Sequence, residues 1–266
     1  MCCELDKLST LSAVKRNGGH ALNRAPPELK ADKEFLLSVV DVAGVDALAE
    51  AADSVRADRD FMLAVASEGG DFLRYASDAL RSDREFLLAA ADRSWLALSF
   101  VAEPLKEDKE LVLMAVTKRA HELESASPAM KADLDVVRMA VRRDGKLLWS
   151  AAEELQKSVD VVKDLLHESP ESFRHLLILQ VGALSGEACC CVVDPLARDF
   201  NFGGMLQKCV KRLDLSLDAL AHGADSVKLL HAGRLLESSK DLEDLPRGVM
   251  VELQLIVQQQ QRLVHG

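Results

Sequence analysis

The groups in this chain that could do chemistry are six cysteines, seven histidines and 43 carboxylates, and their spacing decides which chemistry is open to them. The cysteines are bunched: Cys2 and Cys3 at the start, Cys189, Cys190 and Cys191 in one run, and Cys209 apart. Adjacent thiols on a strand fall on alternate faces, so the run does not suit one tetrahedral metal and reads as small buried hydrophobes. His121-Glu122 and His167-Glu168 have no second histidine one helical turn on, so neither forms a zinc-protease pair. Gly203-Gly204 lacks the spacing and the following lysine of a phosphate cradle, and Gly182-Ala-Leu-Ser185-Gly186 lacks the spacing of a nucleophile elbow. His231 falls in a strand pattern and is expected at a surface or rim. No catalytic residue, no metal ligand and no cofactor is therefore expected, and the protein reads as non-enzymatic.

The carboxylates have a different explanation, because they recur. Asp32, Asp58, Asp83, Asp108 and Asp133, then Ser158, fall about 25 residues apart, each followed two residues on by an acid: Glu34, Asp60, Glu85, Glu110, Asp135 and Asp160. An N-cap oxygen can accept from the free N–H groups of a first helical turn, and an acid in that turn meets the positive end of the helix dipole. Three residues past each cap stands an apolar anchor, Phe35, Phe61, Phe86, Leu111, Val136 or Val161, leading a helix of about ten residues. A second column, Leu22, Leu48, Leu73, Leu98, Leu123 and Leu148, shares the period. Each leucine is followed by a small residue and a further apolar one, as in Leu48, Ala51 and Val55, which predicts a second, shorter helix. Two helices per 25-residue unit cannot bury their own apolar faces, so the units must stack. The first unit departs from the pattern: Lys7 stands at the cap position and Pro26-Pro27 are expected to interrupt its second helix.

Composition narrows the partners. A formal net charge of -10 and a pI near 5.2 repel polyanions, which argues against nucleic acid. Aromatic residues are 4% of the chain, which suits helices packed through Leu, Val and Ala better than a stacking platform for bases. No apolar run is long enough for a membrane span, and Met-Cys-Cys-Glu-Leu-Asp is not a secretory signal. Cys2 and Cys3 could take palmitate, but no basic cluster supplies a second anchor. The chain is expected in the cytoplasm or nucleus with its thiols reduced.

The units resemble the helical repeats of the family catalogued as domain of unknown function 4116. Val14-Lys-Arg-Asn-Gly-Gly-His-Ala-Leu22 and Leu80-Arg-Ser-Asp-Arg-Glu-Phe-Leu-Leu-Ala-Ala-Ala91 carry the likeness, which covers about residues 8–167. It implies an all-helical repeat array and no activity.

After His175 the pattern turns to β-prone runs. Leu176–Leu184 and Ala188–Val193 read as a hairpin around Ser185-Gly186. Met205–Leu213 reads as an amphipathic helix, and Val227–His231 and Val249–Val257 as strands. Lys228-Leu-Leu-His-Ala-Gly-Arg-Leu-Leu-Glu-Ser-Ser-Lys-Asp-Leu-Glu-Asp-Leu245 with Met250-Val-Glu-Leu-Gln-Leu-Ile256 resembles the second half of ubiquitin-like domains, over about residues 176–257. That resemblance implies an apolar partner-binding patch at Leu184, Leu230 and Ile256. In place of a terminal di-glycine the chain ends Gln258-Gln-Gln-Gln-Arg-Leu-Val-His-Gly266, so conjugation to other proteins is not supported. The links Asp194–Gly204 and Leu213–Ser226 look longer than the family's usual pattern.

The expected organisation is a multidomain chain: an all-α repeat array over residues 1–172, an α+β ubiquitin-like β-grasp domain over 173–258, and a Gln-rich tail over 259–266. The expected function is that of a protein-binding adaptor, with ubiquitin-recognising factors as partners of the patch. The competing expectation is a purely structural module whose ubiquitin-like domain caps the array. Oligomeric state and the array's own partner are not written in the sequence.

Overall fold

The computed structural model describes residues 2–68, 70–183, 188–194, 201, 204–205, 207, 209, 212, 227–231, 234–236, 242, 245, 247 and 250–257. Two compact units make up the chain, Met1–Met130 and Lys131–Gly266. Unit one is all helical; unit two holds further repeat helices and a mixed sheet.

All six predicted caps form. The side chains of Asp32, Asp58, Asp83, Asp108 and Asp133 accept from the backbone N–H of Phe35, Phe61, Phe86, Leu111 and Val136 at 2.9–3.3 Å. Ser158 Oγ accepts from Val161 N–H at 3.4 Å. The helices that follow are Lys33–Ala43, Arg59–Val65, Arg84–Arg93, Lys109–Lys118, Leu134–Val141 and Val159–Glu168. Of the six anchors Phe35, Phe61, Phe86, Leu111 and Val136 are buried, while Val161 is only partly so. In unit one the rings of Phe72 and Phe86 meet edge to face at 6.3 Å.

The predicted second helix is corrected. Each unit instead runs through a short 3-10 turn, then extended backbone at the small residue, then a single helical turn. Val45–Glu50 is 3-10, Ala51 lies at φ -71°, ψ 152°, and Asp53–Arg56 is α-helical. The same order recurs as Leu98–Phe100, Val101 and Glu103–Glu107, although there the last turn is also 3-10. The recurrent leucine ends the first turn by accepting the N–H of the small residue: Ala51 to Leu48 at 3.2 Å, Val101 to Leu98 at 3.1 Å, Ala151 to Leu148 at 3.2 Å. A leucine and an apolar residue seven positions on can thus share a core without sharing a helix, and Leu48 and Val55 are both buried.

The extended break exposes a free backbone N–H that joins neighbouring repeats. Ala52 donates to Lys30 O at 2.9 Å, Ser77 to Arg56 O at 3.1 Å, Ala102 to Arg81 O at 3.1 Å and Ser127 to Lys106 O at 3.4 Å in unit one, and Ala152 to Lys131 O at 2.8 Å in unit two. A continuous helix would have kept these N–H groups for itself.

One further expectation about the first repeat changes. Pro26-Pro27 open the turn Pro27–Lys30 rather than interrupt a helix, because a first-turn proline lacks an N–H that no partner needs. Lys7, at the cap position, pairs with the carboxylate of Asp32. Lys33 does the same to Asp58, and Arg84 reaches Asp108 at 2.5 Å and Glu110 at 2.6 Å. Each of these cap carboxylates therefore serves its own helix with one oxygen and a preceding repeat's cation with the other.

The sheet of unit two has five strands: β1 (Leu177–Ala183), β2 (Ala188–Val193), β3 (Val227–His231), β4 (Arg234–Leu236) and β5 (Met250–Val257). Their order is β2-β1-β5-β3-β4. The central pair β1 and β5 is parallel and the other neighbours are antiparallel. Between β2 and β3 the described residues Gly204, Met205, Gln207, Cys209 and Arg212 are helical, and Gly204 N–H is capped by Asn201 Oδ1 at 3.2 Å. Leu206, Val210 and Leu213 of the predicted apolar face, and the greater part of both long links, lie outside the described residues. Leu242 and Leu245 are buried, and Arg247 donates to both their carbonyls.

Candidate functional site

The strand register decides where the three predicted patch residues fall. On β3 and β5, Leu230 stands opposite Gln254 and Lys228 opposite Ile256, so positions 230 and 256 occupy one face of the sheet. Leu229 stands opposite Leu255 on the other face. Leu184 lies outside the described residues.

The opposite face at β1 and β2 is a packed core. Leu179, Val181, Cys189 and Cys191 are buried on that face, and Met205 and Cys209 of the helical residues between β2 and β3 are buried too. Cys209 Sγ lies 3.3 Å from Cys191 Sγ. Alternation places Cys190 away from these three, as the strand reading required, but the helix contributes a third thiol that the local spacing could not show. Burial pushes the Cys190 thiol up to about 12. Hydrogen bonds from Cys189 and Cys209, with the nearby Arg212 guanidinium, pull the Cys191 thiol well below its ordinary value.

β2 is an edge strand, and its outward carbonyls are taken by side chains. Trp149 Nε1 donates to Val192 O at 2.9 Å and Arg212 Nη1 to Cys190 O at 2.7 Å. Lys146 Nζ reaches Asp194 at 2.7 Å. Covering an edge in this way blocks addition of a foreign strand. Arg212 also donates to Gln156 Oε1 at 2.9 Å and lies 3.8 Å from Glu153. The repeats of unit one make the same pairing internally, Arg56 with Asp53 and Arg81 with Asp78. In the last repeat Gln156 stands where those arginines stand, and the guanidinium comes from the crossing helix of the sheet region.

One buried acid was missed by sequence reasoning. Glu122 is 7% exposed, and its Oε2 accepts the N–H of Leu98 at 2.8 Å. Burial raises its carboxyl above the ordinary range. Arg119 lies 3.9 Å from it and stacks 4.4 Å over Trp95. The corresponding positions in neighbouring units are apolar, Ala97 and Leu147, so the column itself carried the signal. Glu122 replaces a missing backbone partner, which is a structural role. Among the described residues no group of three or more His, Cys, Asp and Glu is placed to hold a metal ion, and no helix is long and apolar enough to cross a membrane.

A family model matches two stretches of this array. It is described as a domain of unknown function (DUF4116), and its matches cover residues 58–106 and 108–156. Each match begins at or beside a cap aspartate, Asp58 and Asp108, and spans two periods. The DUF4116 matches end before the sheet, so the ubiquitin-like resemblance draws nothing from them. No curated protein and no solved structure matches the chain.

Proposed function

We propose that the protein is a non-enzymatic interaction adaptor, in which a DUF4116-like helical array carries a built-in ubiquitin-like β-grasp domain. The observation that supports the fold is the strand order β2-β1-β5-β3-β4 with a parallel central pair and a helix crossing between two hairpins. Ubiquitin-like domains share that arrangement. The register that sets positions 230 and 256 on one face supports a binding patch made of Leu184, Leu230 and Ile256, with ubiquitin-recognising factors as the partners. β3 and β5 are separated from the clamped edge β2 by β1. A protein that holds its own edge and keeps an apolar patch elsewhere on the sheet is suited to bind through that patch.

The clamp on β2 supports a second reading, a purely structural module in which the sheet seals the last repeat. The two readings part in one experiment. Isotope-labelled full-length protein is titrated with a ubiquitin-binding helix peptide and amide shifts are followed. The adaptor reading expects shifts centred on residues 228–231 and 254–257 that Leu230→Ala abolishes. Absence of shifts, or shifts indifferent to Leu230→Ala, leaves only the structural reading.

A further inference from the structure

The three thiols beneath β2 are the strongest cluster of nucleophilic groups outside the proposed patch. Cys189, Cys191 and Cys209 are 2%, 3% and 0% exposed. Cys191 has an asymmetric setting: Cys209 Sγ at 3.3 Å on one side and Arg212 Nη1 at 3.6 Å on the other. Arg212 is itself only 10% exposed, so its charge has lost most of its water. Its neutral partners, Cys190 O and Gln156 Oε1, satisfy its hydrogens without balancing its charge. Glu153 stands 3.8 Å off and is half exposed, which leaves the Cys191 sulfur as the buried group able to carry the counter-charge. Cys209, deep in the core, stays protonated, since its neighbours Cys189 and Cys191 and its burial raise it. The arrangement sets one thiol between a buried guanidinium and a second thiol.

We propose that Cys191 and Cys209 are a peroxide-reactive thiol pair that closes to a reversible disulfide, with Arg212 as the positioning residue that holds Cys191 as the attacking thiolate. The Cys191 sulfur attacks one oxygen of hydrogen peroxide, the O–O bond breaks, and the departing hydroxide takes a proton from solvent, replacing the one the thiol released, and leaves as water, giving a sulfenic acid. Cys209 Sγ then attacks that sulfur; its proton leaves with the hydroxyl as a second water. The two sulfurs supply the two electrons that the peroxide takes up. Closure needs the sulfurs to approach by about 1.3 Å, from contact to a bond of roughly 2.05 Å. The closed setting selects a small neutral oxidant over a bulky disulfide such as oxidised glutathione.

The test uses reduced full-length protein exposed to hydrogen peroxide, with peptide fragmentation to assign the bonded sulfurs. The expected product is a Cys191–Cys209 disulfide that a dithiol reverses. With Cys209→Ser, a sulfenic acid at Cys191 is expected to be trapped by dimedone added together with denaturant after the peroxide is removed. Arg212→Gln is expected to slow the wild-type reaction about tenfold or more by lowering the thiolate fraction. Cys190→Ser, on the other face, is expected to leave it unchanged. Because the wild-type product is read without any variant, misfolding of a substituted chain does not decide the matter. A Cys189–Cys209 bond, no bond, or equal rates with and without Arg212 overturns the proposal. So does a thiol-bound metal ion seen in native mass spectra of the purified protein.

Discussion

Arg212 donates to Gln156 Oε1 at 2.9 Å, so a residue of the sheet region's helix supplies the cation that the last repeat lacks. Earlier repeats carry that cation themselves, at Arg56 and Arg81. Arg212→Ala leaves Cys190 O and Gln156 without their charged donor and should lower the unfolding free energy of the second unit by roughly 2–4 kcal/mol. Trp149→Phe, which removes only the donor to Val192 O, should cost about 1 kcal/mol. Denaturant unfolding of the full chain checks both. An Arg212→Ala loss no larger than that of Trp149→Phe would show that the clamp is incidental.

The recurrent leucines are core residues, none more than 1% exposed. Leu98→Ala and Leu48→Ala should each cost about 2–5 kcal/mol, because neighbours held by backbone bonds across the repeat joint collapse poorly into the cavity. Equilibrium denaturation gives the value directly. A cost under about 1 kcal/mol at both positions would contradict the stacked-core account.

Stability of the array should fall as pH drops below about 4. The carboxyls of Asp32, Asp58 and Asp108 are held below their ordinary value of 3.8, chiefly by Lys7, Lys33 and Arg84, and by the capped backbone N–H groups. A depressed folded-state value means that the unfolded chain takes up protons first. The contribution is complete above the unfolded value and is lost as pH falls through the folded one. Melting temperatures measured between pH 7 and 2 should show this slope, and Asp58→Asn should flatten it.

Glu122 should act with the opposite sign. Its folded-state carboxyl is raised by burial, so its contribution is complete below the unfolded value and is lost as pH rises through the folded value. Glu122→Gln keeps an acceptor for Leu98 N–H and removes the buried charge. The variant should melt at the same or a higher temperature at pH 7, with any gain shrinking toward pH 4, whereas Glu122→Ala should melt lower at both. A marked loss on Glu122→Gln at pH 7 would instead show that the charge beside Arg119 stabilises the fold.

The caps were legible because a cap is local: Asp83 needs only Phe86 three residues on. The strand pattern was legible too, since alternation is a period of two. The break between Leu48 and Val55 was not, because a leucine, an alanine and a valine at helical spacing fit a helix and two separated turns equally well. Nor was the role of Arg212, whose partners Gln156 and Cys190 are distant in sequence and follow no period. The cation pairing of the caps left a trace in the basic residues at 7, 33 and 84, yet single charges carry no such meaning until their separations of 24 or 25 residues from the aspartates are noticed. Of the predicted patch, Leu230 and Ile256 share a face by register, while Leu184 lies outside the described residues.

The backbone bond from Ser77 N–H to Arg56 O, and its counterparts at the other joints, involves no side chain. Such a seam is indifferent to which residues flank it, so whole periods are interchangeable parts. Excising residues 58–82 would set Asp83 after Ala57, offer its cap carboxylate to Lys33, and let Ala102 donate to Arg56 O. An array joined in this way can change its length by a whole period in one step without new side-chain chemistry at the backbone joint.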